Sequence, residues 1–446
     1  MNNNLTKACK KATELIHSYP KETRIRVISH YDADGISAAS IICKALHRIG
    51  YDFHATLMRN PFDKGLERVS KEDNELVIYS DMGSGQIETI EKMDFKSIII
   101  DHHQPLKKNT KDSVLQINCN HFGINGNYEA CGATLSYCFA KELSKENTDL
   151  SALAIIGATG DKQYIGGFRG LNKEIVDEAI KEGIVEEKIT IKLSGEDIFS
   201  SLYYSIDPYY SGISGKKKNI ENLLEKLEIK KDDCFEKLNQ SQIKKLQSYL
   251  MLTLIKNGCE KNILDTIIRN RYYTKIFDFE SERFADLLDS CGKGGNRGVG
   301  FSVALGDKDS LDDALKLEKE YKEKILNELL RLEEEGFKEK NGFRYFYTDG
   351  SSIGGVIGGI ATNFMLDIKK PLISIVKKDD EIHVSCRGNQ HLVKKGLDLG
   401  VAMKKAAEKL GGHGGGHAIA SGATIDSDKE KDFLEFVDKI IVDQIK

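Results

Sequence analysis

The sequence predicts an α/β protein with an N-terminal parallel-sheet domain and a smaller C-terminal α/β domain, joined by a helical connector. Three observations predict it. Short apolar runs alternate with helix-spaced segments from residue 24 to about residue 160. Lys/Glu/Leu-rich segments follow, with helical spacing and little β character. A second alternation of strand and helix patterns then fills residues 343–446.

In chain order, RIRVIS (24–29) is β-rich and runs into HYDADG, and residues 36–48 (ISAASIICKALHR) have helical apolar spacing. ELVIYSDM (75–82) is a second buried-type strand, followed by a helical stretch at 86–94. KSIIIDHH (96–103) is a third strand, and the apolar run DLSALAIIGA (149–158) is read as a fourth, ending at TGDKQ. This rhythm argues for a parallel sheet with helices on both faces. Residues 196–280 hold an aromatic loop, SLYYSIDPYYSGISG, and then helical patterns, and they read as a mainly helical connector. Residues 308–336 read as one long amphipathic helix. The C-terminal part reads as strand (343–348), Gly-rich helix (355–366) and the hairpin LISIVKKDDEIHVSCRG, turning at Asp379–Asp380. A helix (392–410), a Gly/His loop, a strand (418–425) and a last helix complete it. The expected domains are 1–195, 196–280 as connector, and 281–446, the last including the long helix.

Bulk composition narrows the function. The net charge of −4 excludes a globally basic nucleic-acid coat, so any nucleic acid must bind in a local basic or metal-charged cleft. Nine cysteines without a CxxC pair do not form a disulfide framework or a zinc module. No stretch approaches the roughly 18 apolar residues of a membrane span. The N-terminus lacks an apolar signal core, so the expectation is a cytoplasmic protein with no membrane partner.

The chemistry lies at strand ends. His30, Asp32 and Asp34 follow the first strand; Asp81 ends the second; Asp101, His102 and His103 end the third; Asp161 follows the fourth run. In an open parallel sheet those ends line one edge, where ligands bind. In a strand-like HxDxD, alternate side chains face one cavity. Carboxylates outnumber imidazoles, and no thiolate is available. That set suits Mn²⁺ or Mg²⁺ better than structural zinc. His30, Asp32, Asp34, Asp81, His102 and Asp161 are too many ligands for one catalytic ion with open positions. They suit two ions sharing a carboxylate.

SHYDADG (29–35), SDMG (80–83), DHH (101–103) and TGD (159–161) resemble the four signature motifs of the DHH phosphoesterases. SCRGNQ (385–390) and GGHGGGHAIASG (411–422) resemble the DHH-associated substrate domain. DADGI, the glycine loop and CGKGGNRGVGFSVALGD (291–307) are most similar to RecJ-type nucleases, especially their archaeal branch. The resemblance implies one ion on His30, Asp32 and Asp81, and a second on Asp34, Asp81, His102 and Asp161, with Asp81 bridging. His103 would contact the scissile phosphate or assist the leaving group, and Asp101 would orient its neighbours. His30 departs from the Asp that bacterial RecJ proteins tend to have there. Two divalent cations are implied, Mn²⁺ first, with Mg²⁺ or Co²⁺ as alternatives.

In the C-terminal domain, Gly414, Gly415 and Gly416 can offer backbone N–H groups to an anion as a nest, and His417 adds a donor. Arg387 can grip a phosphate bidentately. The expected activity is that of a RecJ-like exonuclease on single-stranded nucleic acid, 5′→3′ on DNA, releasing mononucleotides. The alternatives are a phosphodiesterase of short RNA, with 3′→5′ polarity, or of cyclic dinucleotides, and a non-catalytic replication scaffold. The expected partners are single-stranded DNA or RNA, and, by resemblance to the archaeal branch, the GINS replication complex. The sequence leaves the oligomeric state open.

Overall fold

The computed structural model describes residues 2–59, 64–193, 195, 197–349 and 353–445. Packing divides the chain into two units: residues up to Thr190 with Arg269–Tyr321, and Ile191–Ile268 with the residues from Lys322 onward.

The first unit opens with α1 (Asn3–His17), capped by the Asn2 side chain and buried along Leu5, Cys9, Ala12 and Ile16, a stripe of helical spacing. Then come β1 (Ile25–His30), α2 (Ala33–Arg48), β2 (Phe53–Met58), α3 (Lys64–Ser70), β3 (Leu76–Ser80), α4 (Ile87–Ile90), β4 (Lys96–Asp101) and β5 (Val114–Asn118). The five strands form one sheet in the order β2-β1-β3-β4-β5, and every pairing is parallel. Ile25 and Val27 enter one core and Ile28 the other, so both faces are covered and the strands read as continuous apolar runs. The helix expected over 86–94 is the single turn α4.

Next follow α5 (Gly132–Leu143), α6 (Ser151–Gly160), α7 (Gly170–Lys181) and β6 (Val185–Ile191). The run at 149–158 is therefore a helix and not a fourth strand. It is rich in alanine, and nearly all of α6 is buried, so it has no polar face to display a helical period. α6 packs against α2 and α5.

In the second unit, α8 (Ile198–Tyr203), α9 (Lys217–Lys226), α10 (Gln240–Lys256) and α11 (Lys261–Leu264) lie within 196–280 but make up less than half of it, loops, turns and short strands taking the larger share; residue 196 itself lies outside the described residues. The aromatic loop is packed, with Tyr209 and Tyr210 buried and the Tyr209 hydroxyl donating to Glu333. The end of that stretch returns to the first unit as β7 (Ile268–Thr274) and β8 (Phe279–Glu280), which form a three-stranded sheet with β6. α12 (Ser281–Lys293) and α13 (Arg297–Leu305) pack on α2. Residues 281–305, assigned from sequence to the C-terminal domain, thus belong to the first unit. Gly300 lets α13 pack closely on α12, since a Cβ there would sit 2.9 Å from the Cβ of Cys291. α14 (Asp309–Glu335) is the long helix expected from sequence, and the division between units falls within it.

The second unit continues with β9 (Lys338–Glu339), β10 (Arg344–Tyr347), α15 (Gly354–Phe364), β11 (Leu372–Lys378), β12 (Glu381–Arg387), α16 (Gln390–Lys394), α17 (Leu399–Lys409), β13 (His413–Gly416), β14 (Ala420–Asp426) and α18 (Glu430–Gln444). Its sheet order is β13-β14-β12-β11-β10-β9. Ile373, Ile375, Val384 and Cys386 face a core shared with α17 and α18, and Ser374 faces α15. The helix expected over 392–410 is broken at Gly396, whose φ of +106° no ordinary helical residue adopts. The Gly/His loop is an edge strand, β13, paired antiparallel with β14. Among the described residues no helix is long and apolar enough to cross a membrane.

Candidate metal centre

The strand order places the site. Chain direction across the sheet reverses between β1 and β3, which opens a crevice beyond their C-terminal ends. His30 is the last residue of β1, Asp81 follows β3, and Asp101, His102 and His103 end or follow β4. Asp161 comes from the C-terminus of α6, so three strand ends and one helix end supply the cup. HxDxD is not a strand throughout. Asp32 caps α2 by accepting the Gly35 N–H at 3.0 Å, and Asp34 lies in the first helical turn. Gly35 permits the abrupt start, because a Cβ there would lie 2.4 Å from the His30 carbonyl oxygen. The three side chains converge through this strand-to-helix turn and not by strand alternation.

The side chains form overlapping groups. His30 Nδ1 lies 2.7 Å from Asp32 Oδ2 and 3.6 Å from Asp81 Oδ2. His102 Nε2 lies 3.2 Å from Asp81 Oδ1, 3.4 Å from Asp161 Oδ2 and 3.8 Å from Asp34 Oδ2. Ligand atoms of His30, Asp32 and Asp81 fall within 4.8 Å of one another, as do those of Asp34, His102 and Asp161, and those of Asp81, His102 and His103. Asp81 faces both imidazoles, one with each oxygen. All six residues named from sequence are therefore brought together. His103 stands at the edge, 59% exposed, with Nδ1 2.8 Å from Asp101 Oδ1.

Neighbouring groups hold this arrangement. Buried Asp34 accepts the Gly132 N–H at 2.7 Å and the Ala133 N–H at 2.8 Å, so the N-terminus of α5 clamps both its oxygens. His102 Nδ1 sits 2.7 Å from the Gly126 carbonyl, which orders the ring and turns Nε2 into the cup. Gln163 donates to the same carbonyl and to that of Ala130, fixing this loop to the segment after Asp161. Asp101 accepts the Ser84 and His103 N–H groups besides the His103 ring. Asn118 and Asn120 donate to the carbonyls of His103 and His102.

Whether these residues fit a cation is answered by their electrostatics. Asp81 Oδ1 is buried without a hydrogen-bond partner. Its backbone has φ +54°, an uncommon conformation for a residue other than glycine. Burial, then the carboxylates of Asp34, Asp32 and Asp161, push the Asp81 carboxyl well above its ordinary range. Burial and Asp34 raise Asp161 to about 7. Burial would lower His102, but Asp161, Asp34 and Asp101 outweigh it and raise the ring to about 9. Protons thus stand in for positive charge that the carboxylates demand. Oxygen-rich donors with two imidazoles are chemically suited to divalent cations. The acidic/His clusters are suited to a metal site.

In the second unit, Arg387 lies under the first turn of α15, where a Cβ on Gly355 would come within 2.8 Å of its Nη2. Burial lowers its pKa, its Nη1 donates to the Cys386 carbonyl, and no carboxylate pairs with it among the described residues. Gly414, Gly415 and Gly416 form β13, and His417 opens the turn to β14. The near-reciprocal His417–Ala420 bonds set the antiparallel phase, so Gly415 joins the ladder while Gly414 and Gly416 direct their N–H groups away from β14. The expected nest of consecutive N–H groups is replaced by this alternation.

Sequence reasoning missed Gly132, Ala133, Gly126, Gln163, Asn118 and Asn120. One further residue carried a signal: Gly157 interrupts the apolar run of α6, which marks close approach of something else, and Gly132 makes a similar approach at the start of α5. A Cβ on Gly132 would lie 2.6 Å from Asp81 Cβ, and one on Gly157 2.6 Å from Asp34 Oδ1.

Known proteins match along the whole chain. Residues 24–160 match the DHH family N-terminal domain, 160–298 the archaeal Cdc45 family, and 343–443 the DHHA1 domain. An uncharacterized protein of Methanocaldococcus jannaschii is 34% identical over 429 residues, covering 95% of this chain and 94% of that protein. The CDC45 structure from Entamoeba histolytica superposes with TM-score 0.66 at 12% identity, covering 97% of this chain and 99% of that one. RecJ from Thermus thermophilus, solved with Mn²⁺, superposes with TM-score 0.61 at 16% identity; 98% of this chain is covered, and the chain spans 55% of that RecJ. With a DHH domain, a DHHA1 domain and the acidic/His cup at the DHH strand ends, the chain belongs to the RecJ-like group of the DHH superfamily.

Proposed function

We propose that the chain is a two-metal phosphodiesterase acting as an exonuclease on single-stranded nucleic acid, 5′→3′ on DNA, with release of mononucleotides. The observation that carries this reading is Asp81, whose two oxygens face His30 on one side and His102 on the other. His30, Asp32 and Asp81 would hold one ion, and Asp34, Asp81, His102 and Asp161 the other, with Mn²⁺ the first candidate. Two such cations would polarise the phosphodiester and lower the pKa of the attacking water. The protein's own groups then do the following. Asp34, fixed by α5, and His102, fixed by Gly126, hold the cup together against carboxylate repulsion. His103 stands on the open side with its ring raised to about 9 by the Asp101 hydrogen bond, so it is protonated near neutral pH and can donate to a phosphate oxygen or a departing alkoxide. Arg387, Gly414, Gly416 and His417 would hold a substrate phosphate in the second unit.

End-labelled DNA and RNA oligonucleotides, two-to-five-nucleotide RNA, cyclic dinucleotides and pyrophosphate, each with Mn²⁺, test the reading. Laddering of long single-stranded DNA from its 5′ end is expected. Cleavage restricted to short RNA transfers the assignment to that substrate, and a folded, Mn²⁺-loaded protein that cuts nothing refutes it. The archaeal Cdc45 match over 160–298 favours a second reading, a replication scaffold that binds GINS. Pull-down of GINS by a protein without turnover would select it.

A further inference from the structure

α12 brings a cation to the edge of the acidic cup. A Cβ on Gly292 would lie 1.9 Å from the Tyr31 carbonyl oxygen, so α12 meets the loop between His30 and Asp32 backbone to backbone. Nearly one turn earlier, Asp289 Oδ1 accepts the Ala33 N–H at 2.8 Å, the first N–H of α2. Its other oxygen holds the Lys293 ammonium at 2.5 Å. Through one carboxylate, Lys293 is tied to the peptide that joins Asp32 to Ala33, and Asp32 and Lys293 act on one another electrostatically. The Lys293 side chain stays 30% exposed. Of its three N–H donors one is used on Asp289, and no other acceptor bonds it among the described residues.

The simpler reading is an i,i+4 ion pair that staples a helix turn. That reading leaves unexplained why Asp289 spends its second oxygen on a residue 256 positions away, beside the cup. Charge arithmetic points elsewhere. Asp32, Asp34, Asp81 and Asp161 carry four negative charges, which two divalent cations would cancel. An arriving phosphodiester would then meet carboxylates already matched in charge, and the Lys293 ammonium, its own charge paired with Asp289, offers it free N–H donors beside Asp32.

Resting on the phosphodiesterase reading above, we infer that Lys293 is a substrate-binding residue that contacts a non-bridging phosphate oxygen beside the His30–Asp32–Asp81 group, and that Asp289 positions it. The test is titration of inorganic phosphate into the Mn²⁺-loaded full chain by calorimetry, for the wild type, Lys293→Met, Lys293→Arg and Asp289→Asn, with Mn²⁺ stoichiometry and Tm measured in parallel. Lys293→Met is expected to weaken phosphate binding about tenfold or more with Mn²⁺ stoichiometry unchanged. Lys293→Arg should recover much of the loss, and Asp289→Asn should fall between. On a cleaved oligonucleotide, Lys293→Met should raise KM more than it lowers kcat. Unchanged phosphate affinity overturns the inference, as does loss of Mn²⁺ binding together with phosphate, which would make Lys293 structural. If Lys293→Met lowers Tm sharply, Lys293→Arg against Asp289→Asn decides, and equal phosphate affinities there count against it. A wild type that cuts no phosphodiester, with phosphate binding still dependent on Lys293, refutes the nuclease reading and leaves Lys293 in place.

Discussion

Replacing Gly157 by alanine sets helix propensity against the geometry of the cup. In an ordinary helix the change stabilises by about 1 kcal/mol. Here the added methyl would stand 2.4 Å from the Cβ of Ala133 and 2.6 Å from Asp34 Oδ1. Carbon contacts are comfortable near 3.5–4.0 Å, so three packed helices must yield by about 1 Å. Overpacking of that kind costs about 1–3 kcal/mol, which outweighs the helical gain and leaves a net loss of up to about 2 kcal/mol. The larger effect falls on metal binding. Asp34 is pushed off the Gly132 and Ala133 N–H groups, and disturbing such supports typically costs about 10–100-fold in metal affinity. Calorimetric Mn²⁺ titration and thermal unfolding read both consequences. Gly359→Ala in α15 is the control, since nothing lies within 4 Å of its Cβ position. It should gain about 1 kcal/mol with Mn²⁺ affinity unchanged. A Gly157→Ala protein that is stabilised like the control and binds Mn²⁺ as the wild type does would refute the reasoning.

Other perturbations probe separate parts of the site. Asp81→Ala should remove both tight Mn²⁺ sites and His30→Ala only one; equal stoichiometries in the two variants would deny Asp81 its shared role. In the metal-free protein the His103 ring should titrate near 9 by NMR, and near 6.5 once Asp101→Asn removes its partner. Because the folded pKa is the higher one, the stability from this pair on the His103 side is whole below pH 6.5 and is lost as pH climbs through about 9; Asp101, held low, contributes above pH 4 and loses its share on acidification. Equal His103 titration midpoints in the two proteins would sink that assignment. Arg387→Lys should weaken binding of a mononucleotide about tenfold by loss of bidentate contact, and an unchanged Kd would remove Arg387 from the substrate site.

Much of the molecule was legible from residue order. The apolar runs at 24–29, 75–82 and 96–103 became parallel strands, and the acidic and His residues at their ends became one cup. That inference works because strand C-termini in an open parallel sheet share an edge, so position along the chain predicts position in space. Where the inference failed, local pattern and tertiary environment diverged. α6 is buried almost all round and has no polar face, so its sequence could not distinguish helix from strand. HYDADG reads as an extended alternation, but Asp32 captures the Gly35 N–H and starts a helix two residues after the strand ends. The glycine run at 413–416 lacks side chains that would advertise a strand, and its β identity comes only from the β14 edge beside it.

The sequence alone determined the kind of chemistry, because ligand type is a property of side chains: carboxylates and imidazoles in excess, no paired thiolates, and an order that puts them at strand ends. Only the tertiary structure decided how those ligands are held. The α5 N-terminus on Asp34, the Gly126 carbonyl on His102 and Asp289 at the start of α2 join residues 24–256 positions apart. Such contacts follow from packing of whole helices, and no short-range pattern encodes them. The same packing moved residues 281–305 into the unit that carries the acidic cup and set Lys293 beside it.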